Sequence, residues 1–387
     1  MNINTRIALF GLVVGILIAT LVNTLQPVIA KKSAEKKLAS APKQVIGFLP
    51  YWLLGKAQTD YSSSITTLTY FGLNVGADGH IIKLTSPTET DPGWYALASG
   101  AYDPFLKNAK FHNVTSSLLV DSGSVESINQ LVLHPVENAH NLMADVLPVM
   151  KEHGFKDLNL DIEYTQDASA EAQQNFTTFV KTVKEQLDAN NAGTLTVEIS
   201  PIDVIRHELV NVKAIGGIAD TVVLMAYDYH STASFVTGPV APQGGAGTNS
   251  EYDVSTAVSK AKEQMPAEKL VLGIPLYGYE WETLTSNPRA TVIPGTAQTA
   301  SSMRVQSLLA GCATCSATFD SEAKELFVTY KDQTTNTYHQ MFIPNEETIQ
   351  AKIKYANGES LDGLALWALG YEDKPLLEPL QKAHAKQ

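Results

Sequence analysis

The chain has 387 residues, with 40 acidic against 28 basic side chains and a formal net charge of −12. That balance excludes non-specific nucleic-acid binding, and no basic patch interleaved with aromatics stands against it. Ordinary apolar and charged fractions exclude a disordered chain and leave ample length for one large core.

The N-terminus differs in composition from the rest. Residues 7–30 carry no charge, follow Arg6 and have an apolar centre from Ile7 to Val22. This is the pattern of a secretory signal, with Val28 and Ala30 placed as at a cleavage site. It is also long enough for a membrane anchor. Lys31, Lys32, Lys36 and Lys37 follow the run, where the positive-inside tendency would keep them on the cytoplasmic side. Two readings of 1–30 stay open, a signal peptide or an anchor acting as a membrane tether, each leading into a flexible polar linker over 31–43. Both predict a secreted or cell-envelope protein.

From residue 44 onward short apolar runs alternate with helical patterns. VIGFLPYWL (45–53), TTLTYFGLNV (66–75) and NVTSSLLV (113–120) read as strands. HNLMADVLPVMKEHG (140–154) has helical spacing and a glycine stop at Gly154. KDLNLDIEY (156–164) has strand period, with Asp157, Asn159, Asp161 and Glu163 on one face and Leu158, Leu160 and Ile162 on the other. A long amphipathic helix over 168–190 follows, then strands TLTVEIS (194–200), DTVVLMAYD (220–228), KLVLGIPLYG (269–278) and LDGLALWAL (361–369). Helices over 255–265 and 347–357 fall between the later ones.

About eight β-then-α units predict a (β/α)8 TIM barrel rather than a doubly wound sheet, since no glycine-rich phosphate loop follows the first strand. Residues 283–345 interrupt the order and contain the hairpin-like ELFVTYKDQTTNTYHQMFI. They predict a small α+β insertion after strand seven of a barrel domain over 44–387. The two cysteines, Cys312 and Cys315, form a lone C-x-x-C in that insertion. A four-cysteine zinc site within one chain is excluded. A redox pair would need a thioredoxin-like context that is missing, and a structural disulfide is the preferred reading.

In a barrel the inner faces of the strands fill the core and their C-terminal ends open on the active-site side. An inward-pointing polar face on 157–163 is costly unless it is hydrogen-bonded or used, whereas a solvated outer face costs nothing. Four other strand ends favour the first reading. Tyr51 and Trp52 close the first strand, Tyr227 and Asp228 end MAYD, Tyr277 lies in PLYGYEW, and Trp367 ends LALW. Each alone is compatible with aromatic packing in the core. Together they surround one mouth with acids and rings, the wall chemistry of a carbohydrate site. Asp161 and Glu163 lie on one side of one strand, so they cannot flank a scissile bond from opposite sides. Either another strand supplies a nucleophile, or a 2-acetamido group of the substrate does.

At this point the sequence resembles glycoside hydrolase family 18, the chitinase-type barrels. The family motif D-G-x-D-x-D-x-E falls on Lys156 to Glu163, with Lys156, Asp157 and Asn159 replacing the first aspartate, the glycine and the middle aspartate. MAYD is similar to the family's M-x-Y-D. The x-N-x-D-x-E form, GPVAP (238–242), GIPLYGYEW and LALWALGYED are similar to a bacterial branch of cell-wall and spore-cortex N-acetylglucosaminidases. LLVDSGS (118–124) stands where chitinases have S-x-G-G.

The resemblance implies a retaining hydrolase of β-1,4-linked N-acetylglucosamine in peptidoglycan or chitin, acting through a cyclic oxazolinium. It implies Glu163 as the acid, Asp161 and Tyr227 on the acetamido group, and Trp367 beneath the sugar. Asp228, Asn159, Tyr277, Trp52 and Tyr51 are the further substrate-binding candidates. No metal or organic cofactor is expected. The competing expectation is a non-catalytic, lectin-like protein on the same fold.

Overall fold

The structure is a computed structural model that describes residues 41–385 apart from 207 and 249. The segment expected as signal or anchor, and most of the expected linker, lie outside the described residues. Among the described residues no helix is long and apolar enough to cross a membrane.

Eight parallel strands close into a barrel: β1 (Gln44–Pro50), β2 (Thr67–Asn74), β3 (Thr115–Ser122), β4 (Asp157–Ile162), β5 (Thr194–Ile199), β6 (Thr221–Leu224), β7 (Leu270–Pro275) and β8 (Gly363–Trp367). Each strand pairs with its neighbour in the chain, and β8 returns to β1 with Gln44 opposite Gly363 and Gly47 opposite Leu366. The chain is thus an α/β barrel of the expected class.

Local chemistry explains where the main helices start and stop. The helix Pro135–His153 begins earlier than its apolar spacing suggests, because Pro135 supplies a preset N-terminal φ and has no amide to leave unpaired. It ends on Gly154, whose φ of 80° is the left-handed conformation glycine adopts without steric cost. Ser169 caps Ala170–Ala189, and Asn345 with Thr348 forms a capping box on Glu346–Gly358. Short helices at Pro92–Ala98, Asp103–Phe111 and Val125–Leu133 fill the first half.

The barrel interior has two unlike halves. Ile46, Phe48, Leu119, Val223, Val271 and Ala365 form an apolar plug, with Phe71 and Trp367 packed on it. The inner face of β4 is polar instead, and Asp157, Asn159 and Asp161 are all buried. Asp157 accepts hydrogen bonds from Ser117, Thr194 and Thr196 at 2.6, 2.6 and 3.1 Å. The carboxylate that replaces the family's glycine is thereby satisfied deep in the barrel.

The insertion is a five-stranded antiparallel sheet in the order Gln298–Ser301, Tyr277–Thr283, Tyr338–Ile343, Glu325–Lys331, Ser316–Asp320. It therefore begins at Tyr277, ahead of the expected 283. β7 stops at Pro275 and the next amide, of Leu276, bonds to the Trp367 carbonyl at 2.7 Å. From Tyr277 the period-two pattern YGYEWET serves the second sheet. Tyr277, Tyr279 and Trp281 pack with Phe342 and Val240, with Trp367 and Tyr371 against them. The opposite face packs Ala300, Val328, Met341 and Ile343 with Val305 of the helix Ser302–Gly311. Cys312 and Cys315 are joined as a disulfide just beyond that helix.

Candidate active site

The C-terminal ends of β3, β4, β5, β6 and β8 bring the polar residues together. The Glu163 amide donates to the Ser122 carbonyl at 2.9 Å, which extends the β3–β4 ladder one residue past β4 and fixes Glu163 at the mouth. Two cavities meet there. One of about 120 Å³ is lined by Asp161, Glu163, Glu198, Tyr227, Asp228 and Trp367, with Phe48, Phe71, Leu119 and Met225. The other, about 230 Å³, runs between the ends of β4 and β5 along Tyr164, Thr165, Ser200, Asp203 and Glu208. Glu163, Glu198 and Met225 border both.

Tyr227 lies in a short irregular segment after β6, where the amides of Ala226 and Tyr227 donate to the carbonyls two residues back. Its ring leans over β7 at Gly273, where a Cβ would come within 2.9 Å of the ring and 2.8 Å of the Leu224 carbonyl. Asp228 takes a φ of 59°. One of its oxygens accepts from Tyr277 at 2.7 Å and Tyr279 at 2.9 Å, so the inserted sheet braces a barrel residue.

Charge is concentrated on one side. Burial, then the neighbouring carboxylates Glu163, Glu198 and Asp121, hold the proton affinity of Asp161 well above the usual range. Glu163 is exposed at the mouth, yet the surrounding protein still desolvates its carboxyl, and Asp228 and Asp203 add like charge. Its proton affinity is raised. Burial also raises Glu198, opposed by the Asn159 amide and reinforced by Glu163 and Asp157. Asp121 is pushed up to about 7 by burial and by Glu163 and Asp91. Tyr227 is raised by burial and four carboxylates, so its phenol stays neutral. The shifts share one direction, toward the protonated form of each carboxyl, which is the form an acid needs.

The sequence-expected residues divide into three groups. Asp161, Glu163, Tyr227, Asp228 and Trp367 share one cavity. Trp52 packs on two of the lining rings: it is 45% exposed and contacts Phe71 and Trp367 at centroid distances of 5.5 and 6.4 Å, while Tyr51 meets Trp52 at 5.0 Å and, among the described residues, has no ring contact with a lining residue. Asn159 and Tyr277 line neither cavity. Asn159 is fully buried with its amide on Glu198 at 2.7 Å, and the Tyr277 hydroxyl is committed to Asp228. Their expected contact with substrate is corrected to support of residues that do line the site.

Asp121, Glu198, Asp203 and Tyr279 escaped sequence reasoning. The signal for Asp121 and Glu198 was a lone acid at the C-terminal end of an otherwise apolar or small-residue strand, in LLVD and TLTVE. Among the described residues no group of three or more His, Cys, Asp or Glu side chains is arranged to hold a metal ion.

The site is thus an acid-lined mouth with a tryptophan on its wall, at the end of an eight-stranded parallel barrel. The chain belongs to the glycosyl hydrolases family 18, whose pattern matches residues 63–372. It is 23% identical over 315 residues to a cortical fragment-lytic enzyme of Bacillus anthracis, covering 79% of this chain and 65% of that protein. To the cortical fragment-lytic enzyme of Bacillus subtilis it is 28% identical over 251 residues, covering 63% of this chain and 53% of the relative. The chain thus spans under two thirds of the length of these relatives. Among solved structures, a group IV chitinase of Ostrinia furnacalis in complex with allosamidin superposes with a TM-score of 0.77 at 22% identity, covering 89% of this chain and 99% of that one. The spore cortex-lytic enzyme SleL of Bacillus megaterium gives 0.70 at 21% identity, covering 89% and 74%. At these identities the superpositions establish the shared fold.

Proposed function

We propose that the protein hydrolyses β-1,4-linked N-acetylglucosamine polymers, peptidoglycan or chitin, with retention and with the substrate's own acetamido group as nucleophile. The observation that carries this reading is the placement of Asp161, Glu163 and Tyr227 on the wall of one cavity with Trp367. Asp161 and Glu163 leave the same strand end on the same side. Asp228, the carboxylate on the other side, has one oxygen held by two tyrosines. The arrangement therefore suits a nucleophile brought by the sugar.

In this scheme Glu163, whose proton affinity is raised by burial and by Asp228 and Asp203, gives its proton to the glycosidic oxygen as the acetamido carbonyl attacks the anomeric carbon. Asp161 and the neutral Tyr227 hydroxyl hold the acetamido group, and Trp367 packs under the ring. Glu163 then takes a proton from water, which opens the oxazolinium with net retention.

The names of the Bacillus relatives and the uncharged stretch at 7–30 support action outside the cytoplasm or in the envelope. The test is hydrolysis of an N-acetylglucosamine oligomer by wild type and Glu163→Gln, with the product anomer read by NMR. Turnover by wild type with loss of at least about 1,000-fold in the variant is expected. Equal inertness of both proteins with retained sugar binding would move the protein to the lectin-like class.

A further inference from the structure

Asp121 has no part in that scheme. It ends the inward face of β3 in register with Asp161, so the two residues leave adjacent parallel strands side by side. Neighbouring strands lie only about 4.8 Å apart. Oδ1 of Asp121 and Oδ1 of Asp161 are both buried without a hydrogen-bond partner. Asn159, one layer deeper, also has an unpartnered Oδ1, and its only donor group serves Glu198. Three buried acceptors thus lie together with no donor directed at them. Buried acceptors are rarely left so, and a proton on one carboxyl supplies the missing donor.

The groups that bear electrostatically on the two aspartates are Asp91, Glu163 and Glu198, with the Tyr227 phenol beside Asp161. None is a cation that could satisfy two carboxylates, and burial already pushes Asp121 up to about 7.

We propose that Asp121 is a positioning residue that acts through Asp161: the two hold one proton between them, and Asp121 takes it when Asp161 must be anionic beside the oxazolinium. In that step an O–H bond on Asp161 breaks and one on Asp121 forms. Negative charge passes from Asp121 to Asp161, and nothing else is exchanged. Asn159 cannot do this, because an amide does not accept a proton in this range. The inference rests on the proposed substrate-assisted reaction.

The test uses the full chain, labelled with ¹³C at aspartate carboxyls and assigned with D121N and D161N. In the wild type the Asp121 and Asp161 signals should each report the same two titration steps, the mark of a shared proton. In D121N the step shared with Asp121 should vanish from the Asp161 signal, and the remaining titration, still felt by Glu163 and Glu198, should move to lower pH because a like charge is gone. On an N-acetylglucosamine oligomer D121N should lose about 100-fold in kcat, with KM within about threefold. Asp121 and Asp161 titrations with no step in common, or a D121N kcat within threefold of wild type, would overturn the proposal. If D121N fails to fold, the wild-type titration decides. A wild type that turns over no such oligomer while showing the shared titration would refute the proposed reaction and leave the proton pair standing.

Discussion

The Asn159 amide donates to Glu198 at 2.7 Å across the β4–β5 interface, with both residues buried. The position that interrupts the family's aspartate series therefore orients an acid from the next strand. Glu198 reaches both cavities that flank Glu163. The acidic wall of these cavities is thus built from β4 and β5 together and not from the β4 motif alone.

The first prediction concerns pH. In the proposed scheme Glu163 acts as a proton donor, so activity should fall as pH rises through its pKa. Asp203, which borders the larger cavity, adds like charge that raises this pKa. Asp203→Asn removes that charge, and the alkaline limb of kcat/KM should move to lower pH. An unmoved limb in a variant of wild-type thermal stability would show that Asp203 does not tune the acid.

Trp367 makes ring contacts with Phe48, Phe71 and Trp52 at 5.8, 4.9 and 6.4 Å. These partners fix the ring on the cavity wall. Trp367→Ala should lower kcat/KM by about 10–100-fold on a short N-acetylglucosamine oligomer, and Trp367→Phe by less, since an aromatic surface remains. Steady-state kinetics on the two variants checks the order. Equal losses would indicate that the indole does something other than stack.

Stability outside the site depends on Ala241 in the GPVAP loop. Its carbonyl accepts from the buried Lys352 Nζ at 2.7 Å, while its amide and that of Val240 donate to the buried Glu325. Burial pushes Lys352 down to about 8 and Glu325 up to about 7. Lys352→Met leaves a buried carbonyl unpaired and Glu325 without its counter-charge. Unfolding free energy should fall by roughly 3 kcal/mol in a denaturant titration. The double variant with Glu325→Gln should recover part of that loss, and a strictly additive double variant would show the two groups to be uncoupled.

The barrel was legible because its evidence is local and repeated: strand-length apolar runs separated by helical spacing, eight times in the same order. β1 and β6 read too long, through 53 and 228, because the same tyrosines, tryptophan and aspartate that mark the mouth sit just past the last paired residue. Glu163, Asp161, Tyr227 and Trp367 could be singled out because each lies within three residues of the end of its strand. Asp121 and Glu198 could not, since a single acid in a strand has no periodic companion and its partners lie on other strands. The same holds for Asn159 and Tyr277: their residue types suggested sugar contacts, but only three-dimensional neighbours reveal that the Asn159 amide nitrogen serves Glu198 and the Tyr277 hydroxyl serves Asp228. The onset of the inserted sheet was missed for a related reason, as Pro275 and Leu276 separate two strands that read as one continuous run.

The hydroxyls of Tyr277 and Tyr279 reach from the inserted sheet to a barrel aspartate. The insertion is therefore not ornament that could be pruned to leave a minimal eight-stranded catalyst. Shortening it would take away both hydroxyl donors to Asp228, so any compact version of this protein would have to find another clamp for that side chain.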